Sequence, residues 1–224
     1  MADQSRLSSF LVMMGLCAAA VFLTGLLIDN STLRLVSKPL VCGAILGWTL
    51  IKRQDRFARL ISLALGFCLL GDVLLEYSSS LFLPGLVAYL LGHVVFIFAF
   101  LWDARGLAIG RLIPIALWSS VLFLIVLPGL EDMLVPVLAY IIVIDIMVWR
   151  AAARVGSHGA PYWSEWLGLI GAFLFAFSDS LLALNRFYSA FAGARYVIIL
   201  IYWTWLLLLA ATILRKPLSL EKIT

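Results

Sequence analysis

Eight apolar runs dominate this chain, at residues 8–28, 35–51, 58–76, 82–102, 111–127, 133–149, 166–185 and 195–214. Each is close to the roughly 20 residues an α-helix needs to cross a bilayer's hydrocarbon core. Lipid offers the backbone no hydrogen-bond partners, so such runs must satisfy themselves as helices. Composition leaves no other solvent. Of 224 residues, 64% are hydrophobic and only 12% charged, against about half and about a quarter in a soluble domain. The chain therefore reads as an all-α membrane protein. It is expected to be a bundle of about eight transmembrane helices, one domain over residues 1–224, with short connections. The first run has Arg6 before it and Ala18–Ala20 inside it. It is too long and too evenly apolar for a signal peptide and counts as a span.

The formal charge is +4, but the basic residues lie between the runs, which argues for membrane topology and against nucleic acid. With the N-terminus inside, the cytoplasmic side collects Arg6, Lys52, Arg53, Arg56, Arg59, Arg105, Arg111, Arg150, Arg154, Arg215, Lys216 and Lys222. The other side keeps Arg34, Arg186 and Arg195, with Lys38 just inside a helix. Both termini are thus predicted to be inside. Trp48, Trp102, Trp149, Trp163 and Trp166 fall at the same interface, as an aromatic belt would. The stretch RAAARVGSHGAPYWSEW reads as the longest surface loop, with His158 solvated. Cys17, Cys42 and Cys68 have no CxxC spacing, which speaks against a disulfide framework or a zinc cluster.

Polar residues inside the runs carry the functional signal. An ionised carboxylate at mid-bilayer costs roughly 2.5–3.5 kcal/mol on insertion scales, so acids found there face the bundle interior, pair, or hold a proton. Asp72 and Glu76, in LLGDVLLEY, lie one turn apart on one face of the third span. Asp179 falls at a comparable depth in the seventh, whose outer end carries Asn185 and Arg186. His93 is near the middle of the fourth, Lys38 and Pro39 open the second, and Tyr202 lies about two turns into the eighth. Depth alone allows Lys38, Asp72, Glu76, His93, Asp179, Asn185, Arg186 and Tyr202 to line one outward-facing cavity. Burial and like-charge neighbours both favour a neutral carboxyl, so at least one acid in such a pocket is expected to be protonated. Asp145, beside Trp149 and Arg150, reads as an interfacial residue.

Gly66 and Gly71, the series Gly85, Ala88 and Gly92, and the series Gly168, Gly171, Ala172 and Ala176 make small-residue stripes that let helices approach closely. GDVLL in the third run echoes SDSLL in the seventh, and Pro39 opens the second as Pro136 opens the sixth. This suggests a parallel 4+4 repeat about an axis along the membrane normal. From the residues alone, a small proton-coupled transporter or a lipid-binding membrane protein using the same buried carboxylates stands as the alternative to an enzyme.

The pieces Lys38-Pro39-Leu40, Gly71-Asp72-Val73-Leu74-Leu75, Phe82 with Gly85, Gly92-His93, Tyr140 with Met147, and Ser178-Asp179-Ser180-Leu181-Leu182 with Tyr202 occur in this order. In them the chain resembles the YhhN-type lysoplasmalogenase family of polytopic membrane proteins, from the second run to the eighth. Phe96 departs from the pattern, which has a Tyr after the His, and Trp203-Thr204-Trp205-Leu206 is less polar than the family's last helix. The resemblance implies hydrolysis of the vinyl ether bond of lysoplasmalogens to a fatty aldehyde and glycerophosphoethanolamine or glycerophosphocholine. A vinyl ether is protonated at carbon, giving an oxocarbenium ion to which water adds. The chemistry asks for a general acid, a carboxylate to stabilise positive charge, and a base for water, with no cofactor. One histidine within the runs cannot furnish a His-rich metal centre.

On that reading Asp72 and Asp179 form the acid–base pair, Glu76 modulates it or positions water, and His93 hydrogen-bonds one partner. Lys38 and Arg186 hold the phosphate, Asn185 and Tyr202 add hydrogen bonds, and Phe96, Phe175 and Phe177 line a slot for the alkyl tail. The expected partners are a lysophospholipid substrate and membrane lipids. The expected setting is a bacterial inner membrane, or the endoplasmic reticulum in a eukaryote.

Overall fold

The computed structural model describes residues 2–52 and 55–215, with side chains from Gln4 onward. Arg53, Lys216 and Lys222, counted above toward the orientation, lie outside the described residues. Among those described there are eight long α-helices: α1 (Ala2–Leu27), α2 (Ser31–Lys52), α3 (Arg56–Tyr77), α4 (Phe82–Asp103), α5 (Leu112–Val126), α6 (Leu134–Arg154), α7 (Tyr162–Phe187) and α8 (Ala194–Ala211). With their flanking 3-10 turns, all eight are long and apolar enough to cross a membrane. The chain is an integral multi-pass helical bundle. Its outer face agrees, since Phe10, Leu16, Leu117, Leu124 and Val135 are exposed. Such residues belong against lipid.

Local chemistry sets the helix starts. The Asp55 side chain accepts the Ala58 N–H at 2.8 Å and caps α3. Asn30 accepts the Leu33 N–H at 3.0 Å at the start of α2. Close packing follows the small residues. A Cβ on Gly71 would run into the Tyr89 ring, one on Gly85 into Leu75, and one on Gly171 into Leu209. The main helix pairs are accordingly α3 with α4 and α7 with α8, beside α1 with α2. Between them lies an aromatic core in which Phe175 meets Trp205 at 4.8 Å, Tyr202 meets Trp205 at 5.3 Å and Phe96 stacks on Phe100.

The bundle has two ends. At one, Gln4 at the start of α1 hydrogen-bonds the Ile51 carbonyl at the end of α2. That end is closed by a buried ionic knot. Asp103 accepts from Arg154 at 2.7 Å and 3.1 Å and also from Arg215. The Arg154 guanidinium lies between the Phe57 and Phe100 rings and against Gly168, where any Cβ would collide with it. Arg150 donates to the carbonyls of Ala104 and Gly106. The sequence placed Arg150 and Arg154 in a solvated loop. They lie on α6 and are buried, with a carboxylate taking up Arg154 and backbone carbonyls Arg150, while Arg150 Nε and Arg154 Nη1 find no hydrogen-bond partner among the described residues. The loop shrinks to residues 155–161, with His158 exposed at φ 58°.

Candidate functional site

Near the opposite end α2, α3, α4 and α8 converge on Asp72, which is fully buried about one turn before α3 ends. Tyr89 of α4 donates its hydroxyl to Oδ1 at 2.7 Å, and Tyr202 of α8 donates to Oδ2 at 2.7 Å. Lys38 Nζ stands 3.5 Å from Oδ1 and 3.8 Å from the Glu76 carboxylate. Both Asp72 oxygens are therefore engaged by donors, and a cation stands beside them. Glu76, one turn on, is held by Arg34 at 3.1 Å and Arg195 at 3.3 Å, and Arg34 also reaches Asp29 at 2.9 Å. The end of α3 is thus clamped to α2 and α8 by matched charges, an arrangement suited to holding helices in register.

Asp179 of α7 is placed differently. Tyr140 of α6 donates to its Oδ2 at 2.6 Å, and among the described residues no cation pairs with it. It faces a mostly apolar cavity of about 70 Å³ between α4, α5, α6 and α7, walled by Leu86, Val137 and Ile141. Arg186 stands at this cavity with its guanidinium 3.7 Å from the centre of the Phe82 ring. No carboxylate pairs with it among the described residues.

Between the two aspartates lies His93, fully buried on α4. Its ring is 6.4 Å from Tyr89, 5.6 Å from Tyr140 and 4.1 Å from Phe175, centre to centre. Neither ring nitrogen has a hydrogen-bond partner among the described residues. Asp72 and Asp179 thus do not touch. Each is bonded to a tyrosine that packs on the same histidine, so the order across the bundle is Asp72, Tyr89, His93, Tyr140, Asp179. Cys68 of α3 is also buried.

The single cavity expected from helix depth is therefore divided. Lys38, Asp72, Glu76 and Tyr202 form one packed cluster, His93 stands next to it, and Asp179 and Arg186 line the cavity. Asn185 belongs to neither. Its side chain accepts the Phe191 N–H at 3.2 Å and ties down the turn after α7. Phe96 and Phe175 do not form a tail slot, because they are buried against Trp205; Phe177 packs on Trp118. Asp145 is not interfacial. It stands midway along α6, lines the same cavity as Asp179, and accepts the Ser119 hydroxyl at 2.6 Å. Tyr89 was not singled out from the sequence, although it lies four residues before His93 and so on the same helix face.

Comparison with known proteins fits the residues that meet here. The YhhN family model matches residues 33–213, from the start of α2 through the end of α8. The chain belongs to the YhhN family. This YhhN protein is 32% identical over 180 residues to lysoplasmalogenase TMEM86B of Homo sapiens, covering 80% of this chain and 74% of that one. It is 29% identical over 181 residues to the Rattus norvegicus lysoplasmalogenase TMEM86B, covering 80% and 72%. Against lysoplasmalogenase TMEM86A of Bos taurus it is 30% identical over 164 residues, covering 71% and 68%. No solved structure matches it.

Proposed function

We propose that this protein is a lysoplasmalogenase-like hydrolase, cleaving the vinyl ether bond of a lysoplasmalogen to a fatty aldehyde and a glycerophospho-alcohol. The observation that carries the reading is Asp179, a carboxyl without a cation partner among the described residues that faces an apolar cavity within the bundle, in a chain whose named relatives are lysoplasmalogenases.

The reaction begins with proton transfer from Asp179 to the vinyl carbon remote from oxygen. The Tyr140 hydroxyl holds Oδ2, which leaves Oδ1 to carry the proton. The substrate becomes an oxocarbenium ion. Asp72, surrounded by Lys38 and two phenol donors, is the fixed negative charge of the site, with Tyr89 and His93 between it and Tyr140. Water adds to the carbon bearing oxygen, loses a proton, and the hemiacetal collapses to aldehyde and alcohol. A preorganised carboxylate acts strongly here because little water competes with it. A cavity of about 70 Å³ has room for the vinyl ether carbons and a water, not for an alkyl chain; the tail stays between helices and in lipid. Lys38 is already committed to two carboxylates, so the phosphate role passes to Arg186.

The same reading places the end that carries Gln4 and Arg215 in the cytoplasm and keeps the parallel 4+4 relation. That relation draws support from α3 and α7 each offering an aspartate to a tyrosine on a neighbouring helix. The test is to incubate purified protein with lysoplasmalogen and with saturated ether and ester lysolipids, and to measure aldehyde. Aldehyde is expected from the vinyl ether alone. Asp72→Asn and Asp179→Asn, folded, are expected to lose at least about 100-fold in turnover. Wild type that releases no aldehyde, or variants that turn over near the wild-type rate, would overturn the proposal.

A further inference from the structure

The cavity that holds Asp179 contains a second acid that the charge clamps do not use. Asp145 reaches it from α6 and Asp179 from α7. Each accepts one hydroxyl hydrogen bond at 2.6 Å, from Ser119 and Tyr140 respectively. Neither has a cation partner among the described residues. Asp72, Glu76 and Asp103, by contrast, are all ion-paired. A carboxylate at mid-bilayer without a countercharge is costly. Helix-ending and helix-joining needs do not call for it here, since Asp145 is mid-helix and, among the described residues, bonds only a serine. Two carboxyls facing one small apolar cavity are what an addition of water across a polarised bond requires, one giving a proton and the other taking one.

We infer that Asp145 is the general base of the reaction: Asp179 gives its proton to the vinyl carbon, and Asp145 accepts the proton of the water that adds to the oxocarbenium carbon. The protons balance. One leaves Asp179 and one arrives at Asp145, and transfer between the two acids, directly or through water in the cavity, restores the starting state. Ser119 is a positioning residue that holds one Asp145 oxygen and leaves the other for water. Asp72 keeps its role as the fixed charge, since its oxygens are already engaged by Tyr89 and Tyr202. The inference rests on the hydrolase reading above.

Its test uses purified full-length protein turning over lysoplasmalogen in D₂O. Aldehyde is measured, and the unreacted substrate is recovered for mass spectrometry. In wild type the oxocarbenium ion is captured by water as it forms, so recovered substrate carries no deuterium. In Asp145→Asn protonation still occurs but capture is slow, so the ion returns to vinyl ether after exchange. The expected result is aldehyde release lower by about 10²-fold or more, with deuterium at the vinyl carbon of recovered substrate. Ser119→Ala, which keeps the acid and removes its donor, is expected to show a smaller loss with the same exchange. A structural role for Asp145 predicts loss without exchange. That result in both variants, or aldehyde release within about twofold of wild type in both, overturns the inference while leaving Asp179 as acid. A wild type that releases no aldehyde overturns the hydrolase reading itself.

Discussion

Replacing Lys38 with Met tests whether the Asp72 cluster is built as its geometry indicates. Lys38 Nζ is 3.5 Å from Asp72 and 3.8 Å from Glu76. Glu76 keeps Arg34 at 3.1 Å and Arg195 at 3.3 Å after the change, so the loss falls on Asp72. Asp72 is fully buried and would retain only its two phenol donors, each at 2.7 Å. Removing one partner of a buried ion pair typically costs 3–5 kcal/mol. Two retained hydrogen bonds to the charged group put this case at the low end, about 3 kcal/mol. For a chain of this length that lowers the unfolding midpoint by about 6–12 °C. Adding Asp72→Asn removes the stranded charge and is expected to restore most of the loss, a coupling of about 2 kcal/mol in the double-mutant cycle. The chain supplies its own probe. Cys42 and Cys68 are buried free thiols, and Cys17 is exposed. In a Cys17→Ser background, a thiol-reactive dye therefore reports unfolding in detergent. An unchanged midpoint for Lys38→Met, or two single effects that simply add, would refute the reasoning.

Gly71→Ala puts a methyl group into the Tyr89 ring. The ring must then move away from Asp72, and a stability loss of about 1–3 kcal/mol with reduced aldehyde release is expected. Asp103→Ala strands two buried guanidinium groups, Arg154 and Arg215. It should cost about 3–5 kcal/mol in the same dye assay, while any protein that stays folded keeps its KM. Arg186→Gln, at the cavity but outside the charge clamps, is expected to raise KM on the order of tenfold with kcat little changed. That is the pattern for loss of one charge-assisted contact to a phosphate; a fall in kcat at constant KM would contradict it.

Helix number and approximate position were legible in the sequence because lipid enforces them. A span must be apolar for about 20 residues, and each of the eight runs overlaps one of the eight helices. Depth was legible for the same reason, which is why Lys38, Asp72, Glu76 and Tyr202 were chosen together and do meet. Rotation about each helix was not legible. Asn185 has the right depth and turns into the loop after α7 instead. Asp145 was misplaced for a different reason. Hydropathy falls where Arg150 appears, so the sixth run seemed to end at residue 149, and Asp145 seemed close to its edge. The helix continues to Arg154 because Asp103 and the carbonyls of Ala104 and Gly106 take up the arginine charge and hydrogen bonds. Those partners lie 44–51 residues away in sequence, and only the folded chain brings them together.

The distribution of countercharge separates the acids inside the bundle by what they can do. Glu76 is met by Arg34, Arg195 and Lys38 at one end of the bundle, and Asp103 by Arg154 and Arg215 at the other. An acid so matched is occupied by its countercharges and holds helices together. Asp145 and Asp179 lie between the two clamps, on α6 and α7, with one hydroxyl apiece and a shared cavity. Only acids of this second kind can exchange protons with a bound molecule without breaking the bundle's own ion pairs. Asp72 stands between the classes, because it has a cation beside it and also lies one tyrosine away from His93. Its replacement by Asn should therefore weaken both stability and turnover, whereas Asp145→Asn should spare stability and strike turnover alone. A variant pair showing the reverse assignment would mean that countercharge does not mark function in this bundle.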